Sequence, residues 1–317
     1  MNSYHRDGKV LIRFIAFAFP PLEGCFRFKD VLQIFSLPDN APKPEKLLAD
    51  HPFVIEYSFE EMDTVALREI WTTGLASSSD QSDDQISEAE HHWSKKQEIL
   101  KVLSVLTRDI ITKGKLEQIG FNWDGLGKLG EWFSTPDLPE IPLIDMNTYY
   151  NQPNFIGTPF QLSDATTSIL GKYFGLGNDE KEAFLSACVL FTQALEAWSI
   201  SHSLTYIGVV SSLEALIEFE HRGKKVSHCL NPDCGQPIYK VKKKFIEFMM
   251  TNGSKNEEFV KHLYNRRSGI GHRGKLLAPD VAGRVMPLAE EMGDTRELGQ
   301  LSRAARICLV NWLMKRE

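Results

Sequence analysis

The sequence contains little that would place the protein in a membrane or outside the cell. No uninterrupted apolar run reaches the roughly 20 residues needed to cross a bilayer. Residues 1–7 lack the apolar block and the small-residue cleavage site of a signal peptide. Cysteine is scarce, and its odd total of five argues against a disulfide framework. These absences predict a cytoplasmic protein that does not associate with membranes.

Common catalytic signatures are also missing. The chain has no P-loop of the form G-x-x-x-x-G-K-S/T, no H-E-x-x-H zinc-binding pair and no G-x-S-x-G nucleophile elbow. We therefore expect no cofactor. The composition, 42% hydrophobic and 25% charged, is instead typical of a globular protein with a substantial core. A chain of 317 residues is long enough for about two domains.

Positive charge is concentrated in one stretch of an otherwise acidic chain. The formal net charge is −6. Residues 222–275 nevertheless carry thirteen lysines and arginines against four acidic residues, a local net charge of +9. Such asymmetry indicates an electropositive surface that could receive nucleic acid. A solvated basic face with no partner gives the same pattern, so charge alone leaves both interpretations open.

The N-terminal half of the chain mixes strand and helix patterns. Residues 9–18 are rich in β-branched and aromatic side chains and predict a strand, and residues 53–59 alternate well enough for a half-buried strand. The polar, acidic stretch 77–86 predicts a flexible insertion, and an apolar stripe within residues 88–112 predicts a long helix. We expect a mixed α/β domain over residues 1–160, with a sensing or regulatory role.

The C-terminal half reads as helical. Apolar residues recur at steps of three and four, first after an expected N-cap at Asn178-Asp179 and then in two later stretches. Basic and mixed helices are expected over residues 239–250 and 256–268, and a last helix over residues 294–315. The predicted fold class is mainly α, with an antiparallel helical bundle over residues 161–317 preceded by the smaller mixed α/β domain. The three apolar stripes are Phe184, Cys188, Phe191, Leu195 and Trp198; Tyr206, Val210, Leu213 and Ile217; and Leu298, Leu301, Ala305, Cys308 and Trp312.

An arginine and a histidine, Arg267 and His272, stand five positions apart where the fourth of these helices ends. At helical pitch this offset is about a turn and a third, and we expect it to bring both side chains near one face. A guanidinium can hold a phosphate by a two-pronged hydrogen bond, and an imidazole can transfer a proton near neutral pH. A basic helix end stopped by Gly271 or Gly274 would explain the same residues without any function.

The stretch Leu263–Gly274, which reads Leu-Tyr-Asn-Arg-Arg-Ser-Gly-Ile-Gly-His-Arg-Gly, resembles the R-x4-6-H motif of the HEPN superfamily (higher eukaryotes and prokaryotes nucleotide-binding domains). It is similar to the LYxxRxxIxHG form of the Apea-like branch, and residues 211–217 resemble the acidic and apolar segment on the family's second long helix. The resemblance covers about 140 residues from Asn178 onward. One departure is Arg273, which separates His272 from a glycine that often follows it directly in the family.

The resemblance implies an HEPN-like antiparallel bundle and a metal-independent endoribonuclease, in which the 2'-hydroxyl of RNA attacks the adjacent phosphate. His272 would be the general acid or base and Arg267 the clamp on the phosphate oxygens. Arg266 is a second donor or an ordinary surface charge. Glu214 could orient His272 or an arginine across the bundle, unless it is an ordinary solvated or ion-paired residue. Further contacts to RNA phosphates are expected from Lys240, Lys242, Lys243, Lys244, Arg273 and Lys275.

One arginine and one histidine are few for complete acid–base catalysis. The family's usual solution implies a homodimer about a two-fold axis, in which two motifs share one cleft. The expected setting is antiviral defence, abortive infection or a toxin–antitoxin-like role, with RNA as substrate and an antitoxin or a phage-derived trigger as a further partner. The first alternative is a non-catalytic HEPN module that dimerises and binds RNA or nucleotides. A second alternative is an adaptor whose basic face docks an acidic protein.

A cysteine pair needs separate interpretation. Cys229 and Cys234 are separated by four residues, with His221 and His228 nearby, which resembles half of a zinc site. A closed structural zinc site needs four ligands, usually from two such pairs, and the sequence has no second pair. We therefore favour a structural hairpin with free thiols over a zinc site, and expect no metal.

Overall fold

The structure is a computed structural model, and within the residues it describes the protein is mainly helical, with a small antiparallel sheet near the N-terminus. This confirms the mainly α class expected from the sequence. Among the described helices, none combines the length and the apolar character that crossing a bilayer requires. The described residues are 2–38, 41, 50–60, 83–112, 123, 125–134, 137–152, 158–224, 227–228, 237–238, 240–281 and 287–316.

The chain divides into two compact units. Each unit is discontinuous in sequence, whereas the division expected at residue 160 is continuous. The whole stretch that resembles HEPN domains, from Asn178 onward, belongs to the second unit. The first unit comprises Met1–Leu103, Ile111–Ile144 and Asn154–Asp164, and the second comprises Ser104–Ile110, Asp145–Pro153 and Ala165–Glu317.

The first unit is built on a five-stranded antiparallel sheet. Its main elements are the strands β1 (Asn2–Arg6), β2 (Lys9–Ala18), β3 (Cys25–Phe28), β4 (Leu32–Ser36) and β5 (His51–Glu60), and the helix α1 (Asp83–Leu106) except for its last three residues. The strand order is β1-β2-β5-β4-β3. Strands β2 and β5 confirm the two predicted strands, whereas β1, β3 and β4 were not predicted from the sequence.

The expectation that residues 53–59 form a half-buried strand is wrong, because both faces of β5 are covered. All seven of these side chains are buried. Successive side chains of a strand point to opposite faces. On one face the Tyr57 hydroxyl lies 3.5 Å from Glu98 of α1, and on the other Glu56 accepts a hydrogen bond from the Phe133 N–H at 2.8 Å. The polar positions of the strand are therefore satisfied inside the protein instead of by water.

One ion pair lies at the centre of this sheet. Arg13 on β2 stands opposite Glu56 on β5, and its Nε–H donates to the carboxylate at 2.7 Å. The two side chains are only 4% and 2% exposed. The other guanidinium N–H groups donate to the backbone oxygens of Leu126, Leu129 and Gly130, which fixes a glycine-rich turn against the sheet.

The second unit is a set of helices packed around an apolar core. The helices are α2 (Met146–Asn151), α3 (Thr166–Gly175), α4 (Asn178–Glu196), α5 (His202–His221), α6 (Val241–Asn252), α7 (Glu257–Arg273) and α8 (Leu288–Met314). The predicted apolar stripes lie on α4, α5 and α8, except that Trp198 of the first stripe lies beyond the end of α4 at Glu196. Every member on α5 and α8 is buried. Trp312 stacks on Phe184 with 5.8 Å between ring centroids, which joins α8 to α4.

Several element ends differ from the prediction. The stretch 77–86 is not wholly a flexible insertion, because residues 83–86 form the start of α1; residues 77–82 lie outside the described ranges. The helix α1 also ends at Leu106, six residues before the predicted end. The helix α4 begins at Asn178 with Gly177 in the cap position and no side-chain cap, so the predicted Asn178-Asp179 cap is wrong.

Candidate functional site

The Arg/His motif lies entirely within α7. The helix begins after Asn256, whose side-chain oxygen accepts a hydrogen bond from the Phe259 N–H at 3.0 Å. It ends at Gly274, which adopts the left-handed conformation with φ of 63°, where a larger side chain would be strained. The expected end at Ser268 is therefore wrong. Of the two glycines considered as stops, Gly274 ends the helix and Gly271 lies within it.

A continuous helix directs Arg267 and His272 to different sides. Five residues of α-helix correspond to a rise of about 7.5 Å and a rotation of about 140° around the axis. The expectation that the two side chains share one face is therefore wrong. Burial agrees with this separation, since Arg267 is half-buried, His272 is exposed, and Ile270 between them is buried. One copy of the helix thus presents its guanidinium and its imidazole in different directions.

Arg267 is held by the glutamate identified from the sequence. Its Nη2 donates to the Glu214 carboxylate of α5 at 2.8 Å. Its Nε–H has no hydrogen-bond partner among the described residues. Burial, with a smaller contribution from the Glu214 charge, raises the pKa of the Tyr264 hydroxyl on the same helix. This contact is compatible both with Glu214 orienting an arginine across the helical unit and with an ordinary ion-paired residue.

Arg266 is engaged within the fold. Its guanidinium donates to one oxygen of the Asp294 carboxylate on α8. The other oxygen of Asp294 accepts the Ala278 N–H at 2.7 Å. This carboxylate thus links α7, α8 and the segment that follows α7. Arg266 is thus ion-paired with a carboxylate of the helical unit, as Arg267 is with Glu214.

A pair between a histidine of α7 and a glutamate of α8 was not predicted from the sequence. The Nε2 atom of His262 lies 3.0 Å from the Glu297 carboxylate of α8, which also accepts a hydrogen bond from the Tyr206 hydroxyl at 3.0 Å. Burial and then the Glu297 charge raise the pKa of Tyr206 and keep its hydroxyl protonated. His262 stands four residues before Arg266, a spacing that places both residues on one helix face. This spacing is the feature of the sequence that could have pointed to His262. Glu297 is 35 residues away from His262 and leaves no local pattern.

The cations expected to contact RNA lie on α6 and at the end of α7. The Nζ of Lys242 donates to Asn265 at 2.8 Å. Lys243 pairs with Glu247 at 3.5 Å, with both side chains more than half exposed. Exposed contacts of this kind contribute little stability, so an incoming phosphate can replace them. The exposed members of the set are Lys240, Lys242, Lys243, Arg273 and Lys275, and Lys244 is half-buried.

The described residues offer no metal centre. Within them, no group of three or more histidine, cysteine, aspartate or glutamate side chains could hold a metal ion. Cys229 and Cys234 lie outside the described ranges, so the zinc alternative concerns a segment that the structure does not describe. Three other cysteines, Cys25, Cys188 and Cys308, are free and buried. Burial raises the pKa of Cys308 to about 12, which makes its thiol a poor nucleophile and a poor ligand.

Fold and site together define a mainly helical protein whose basic helix end carries an arginine–glutamate pair and an exposed histidine. Comparison of the chain with models of known protein families, with curated proteins and with solved structures gave no match. Function must therefore be inferred from the residues of this chain itself.

Proposed function

We propose that the protein is a metal-independent endoribonuclease of the HEPN type. The observation that carries the proposal is the end of α7, where His272 is exposed beside two exposed cations, Arg273 and Lys275. Little more than one helical turn earlier, Arg267 is held in place by Glu214. An imidazole in this setting can meet an RNA phosphate directly, because neighbouring positive charge attracts the backbone.

The proposed reaction is a transesterification within RNA. A general base removes the proton of the 2'-hydroxyl, the oxygen attacks the adjacent phosphorus, and a general acid gives a proton to the departing 5'-oxygen. His272 can serve as either group, since imidazole exchanges a proton near neutral pH. Arg267 would stabilise the charge that develops on the phosphate oxygens. The products are a 2',3'-cyclic phosphate and a 5'-hydroxyl, and the reaction needs no metal.

A second copy of the chain would complete this site. Because one helix directs Arg267 and His272 to different sides, a two-fold axis at the helix ends would let two copies present both groups to one phosphate. The segment after α7 is hydrogen-bonded to the first turns of α5 and α8, where His202 and Asp294 lie. Exposed apolar residues on these elements support a contact between copies, since such residues favour burial. They are Leu204, Leu276, Leu288 and Met292, and the exposed Ile200 lies two residues before α5.

The proposed setting is antiviral defence, abortive infection or a toxin–antitoxin-like system in the cytoplasm. The division into two compact units supports this, because only the second unit carries the Arg/His motif. The first unit would then sense a phage-derived trigger or restrain the ribonuclease, and an antitoxin would be a further partner. RNA is the proposed substrate.

An RNA-cleavage assay with the full-length chain tests the proposal. We expect His272→Ala to lower the cleavage rate by about 10²- to 10⁴-fold, the usual contribution of a general acid or base. Arg267→Ala should also abolish most of the activity, and EDTA should leave the wild-type rate unchanged. The matched control is the variant His262→Ala. His262 lies on the same helix but contacts the Glu297 carboxylate, so this variant should keep the ribonuclease activity. Cleavage that survives in both His272→Ala and Arg267→Ala contradicts the enzymatic proposal.

The Arg267–Glu214 ion pair favours the non-catalytic alternative in one respect. A guanidinium whose charge is balanced by a carboxylate is less available to a phosphate than a free one. Under this alternative the wild-type chain binds RNA with an affinity that falls with salt, but no cyclic-phosphate product forms at any protein concentration. If RNA binding is not salt-sensitive at all, the basic face is better explained by docking of an acidic protein.

A further inference from the structure

An open cavity of about 310 Å³ lies where α5, α6 and α8 meet. A volume of this size is at the lower end of the range for small-ligand sites. None of the residues that line the cavity belongs to α7, so it is distinct from the Arg/His motif. Its lining includes His221, Lys224, Lys244, Phe248, Trp312 and Arg316.

One wall of the cavity is fixed by three side chains that satisfy each other. The Arg316 guanidinium lies over the Trp312 ring at 3.9 Å and pairs with the Glu220 carboxylate. The Trp312 indole N–H donates to the same carboxylate at 2.7 Å. Although burial opposes it, these hydrogen bonds hold the pKa of Glu220 below its usual value. The charge of Glu220 is therefore already balanced by Arg316.

The rest of the cavity has an excess of positive charge. The lining carries four lysine or arginine residues against two glutamates. The second glutamate, Glu247, also pairs with Lys243 at 3.5 Å. Burial, followed by the charges of Lys244 and Lys224, lowers the pKa of the His221 imidazole, against the opposing charges of Glu247 and Glu220. Arg316 also lies 3.5 Å from Glu180 of α4. With Glu180 and Lys243 counted, the groups at the cavity carry five positive charges against three negative ones.

We propose that this cavity binds the phosphate group of a phosphorylated ligand. A phosphate monoester carries a charge of about −1.5 to −2 at neutral pH, which matches the excess of two positive charges better than a carboxylate does. Lysine ammonium groups bind phosphate as point charges, so Lys224 and Lys244 can do so from two helices. His221 adds a third donor when it takes up a proton. The phosphate comes from the phosphorylated end of an RNA or from a small phosphate ester.

Binding is coupled to proton uptake at His221. An anion in the cavity favours the charged imidazole, so it raises the pKa that the two lysines lower. The charged groups that face His221 are Lys224, Lys244, Glu220 and Glu247. His221 is the one among them whose ordinary titration lies near neutral pH. Proton uptake on binding should therefore be larger for the wild-type chain than for His221→Asn.

Calorimetric titration of the full-length chain with adenosine 5'-monophosphate tests the proposal. We expect Lys244→Met and Lys224→Met each to weaken binding by about tenfold, the loss of one charge-assisted contact. Lys244→Arg should restore most of the affinity. The matched control is Lys255→Met, an exposed lysine just after the same helix and outside the cavity, which should bind as the wild type does. Adenosine, which lacks the phosphate, should not bind, and thermal melts should show that all variants are folded.

A second titration separates the two sources of phosphate. A short RNA with a 5'-phosphate is compared with the same RNA carrying a 5'-hydroxyl. If the 5'-phosphate strengthens RNA binding and this gain requires Lys244, the ligand is an RNA end; if the two RNAs bind equally but the nucleotide still depends on Lys244, it is a small ester. The proposal is overturned if neither the affinity for the nucleotide nor the gain in affinity from the RNA 5'-phosphate depends on Lys244, or if Lys255→Met and Lys244→Met weaken nucleotide binding equally. None of these outcomes depends on ribonuclease activity.

Discussion

Each unit of the molecule contains an arginine–glutamate pair, and the two pairs differ in how completely they are satisfied. In the sheet unit, the Arg13 and Glu56 side chains are 4% and 2% exposed. In the helical unit, the Arg267 and Glu214 side chains are 21% and 22% exposed. The ion pair of the sheet unit is thus shielded from solvent, whereas the ion pair of the helical unit is partly exposed to it.

The donors of the two arginines are used differently. Arg13 donates through Nε, Nη1 and Nη2 to Glu56 and to three backbone oxygens, and the Trp132 ring covers its face at 4.4 Å. Arg267 is bound to Glu214 through Nη2, while its Nε–H has no partner among the described residues. A saturated, buried guanidinium holds a fold together. The Arg267 side chain is 21% exposed, although its unpartnered Nε–H is buried, so a phosphate can reach it at its exposed part.

The largest expected effect comes from removing the buried carboxylate charge. Glu56→Gln should lower the free energy of unfolding by about 3–5 kcal/mol, because Arg13 then keeps an uncompensated charge in a dry site. Glu214→Gln should lower it by about 1 kcal/mol or less, because water screens the partly exposed pair. Urea denaturation followed by circular dichroism measures both values.

Glu60→Gln is the matched control for this experiment. Glu60 ends the same strand as Glu56, but it pairs with Lys9 at 3.8 Å and its side chain is 81% exposed. Its substitution should change the free energy of unfolding by no more than about 0.5 kcal/mol. Equal losses for Glu56→Gln and Glu60→Gln would show that burial does not distinguish the two kinds of pair.

Long periodic segments were predictable from the sequence, and short strands were not. The stripes on α5 and α8 repeat every three or four residues over several turns, so burial follows directly from the pattern. The strands β1, β3 and β4 have four or five residues each, too few for an alternating pattern to stand out. The burial of both faces of β5 could not be predicted either, because Glu56 and Ser58 are polar and their covering segments are distant in sequence.

The candidate site was predictable in its residues but not in its geometry. The helix α7 passes through Gly269 and Gly271, since an interior glycine costs only about 1 kcal/mol and does not by itself end a helix. Only the left-handed conformation of Gly274 stops it. The partners of Arg266 and His262 come from α8, and contacts over such distances leave no local signal. The motif thus selects candidate residues, while tertiary packing decides which of them meet.

An intermediate effect is expected at a carboxylate whose charge is built into the helical unit. Asp280 accepts hydrogen bonds from the Ser201 hydroxyl at 2.9 Å and from the N–H groups of His202 and Ser203 at the start of α5. Although burial opposes it, these hydrogen bonds, led by those of Ser203, lower the pKa of Asp280. Asp280→Asn should lower the free energy of unfolding at pH 7 by about 1–2 kcal/mol, the usual value of a helix cap.

The pH dependence of this effect has a definite sign. Because the pKa of Asp280 is lower in the folded chain than its ordinary value of 3.8, its charge stabilises the protein above that value. The contribution is lost as the pH falls through the pKa of the folded state. The difference between the wild type and Asp280→Asn should therefore be constant between pH 5 and pH 7 and shrink below about pH 4. A difference that grows on acidification would contradict this assignment.

The smallest effect on stability, and the most informative for function, is expected from Glu214→Gln. Releasing Arg267 adds one guanidinium to the phosphate-binding groups, so affinity for single-stranded RNA at low salt should rise by a few fold. The slope of log affinity against log salt concentration should become steeper by about 0.7, the value for one more neutralised phosphate on a single strand. Fluorescence titration of a labelled RNA at several salt concentrations measures this slope.

Glu218→Gln is the control, because Glu218 is exposed one turn further along α5 and its substitution makes the same change in net charge. If both variants steepen the slope equally, the effect is one of overall charge. Arg267 would then resemble Arg13, a structural group rather than a ligand for phosphate.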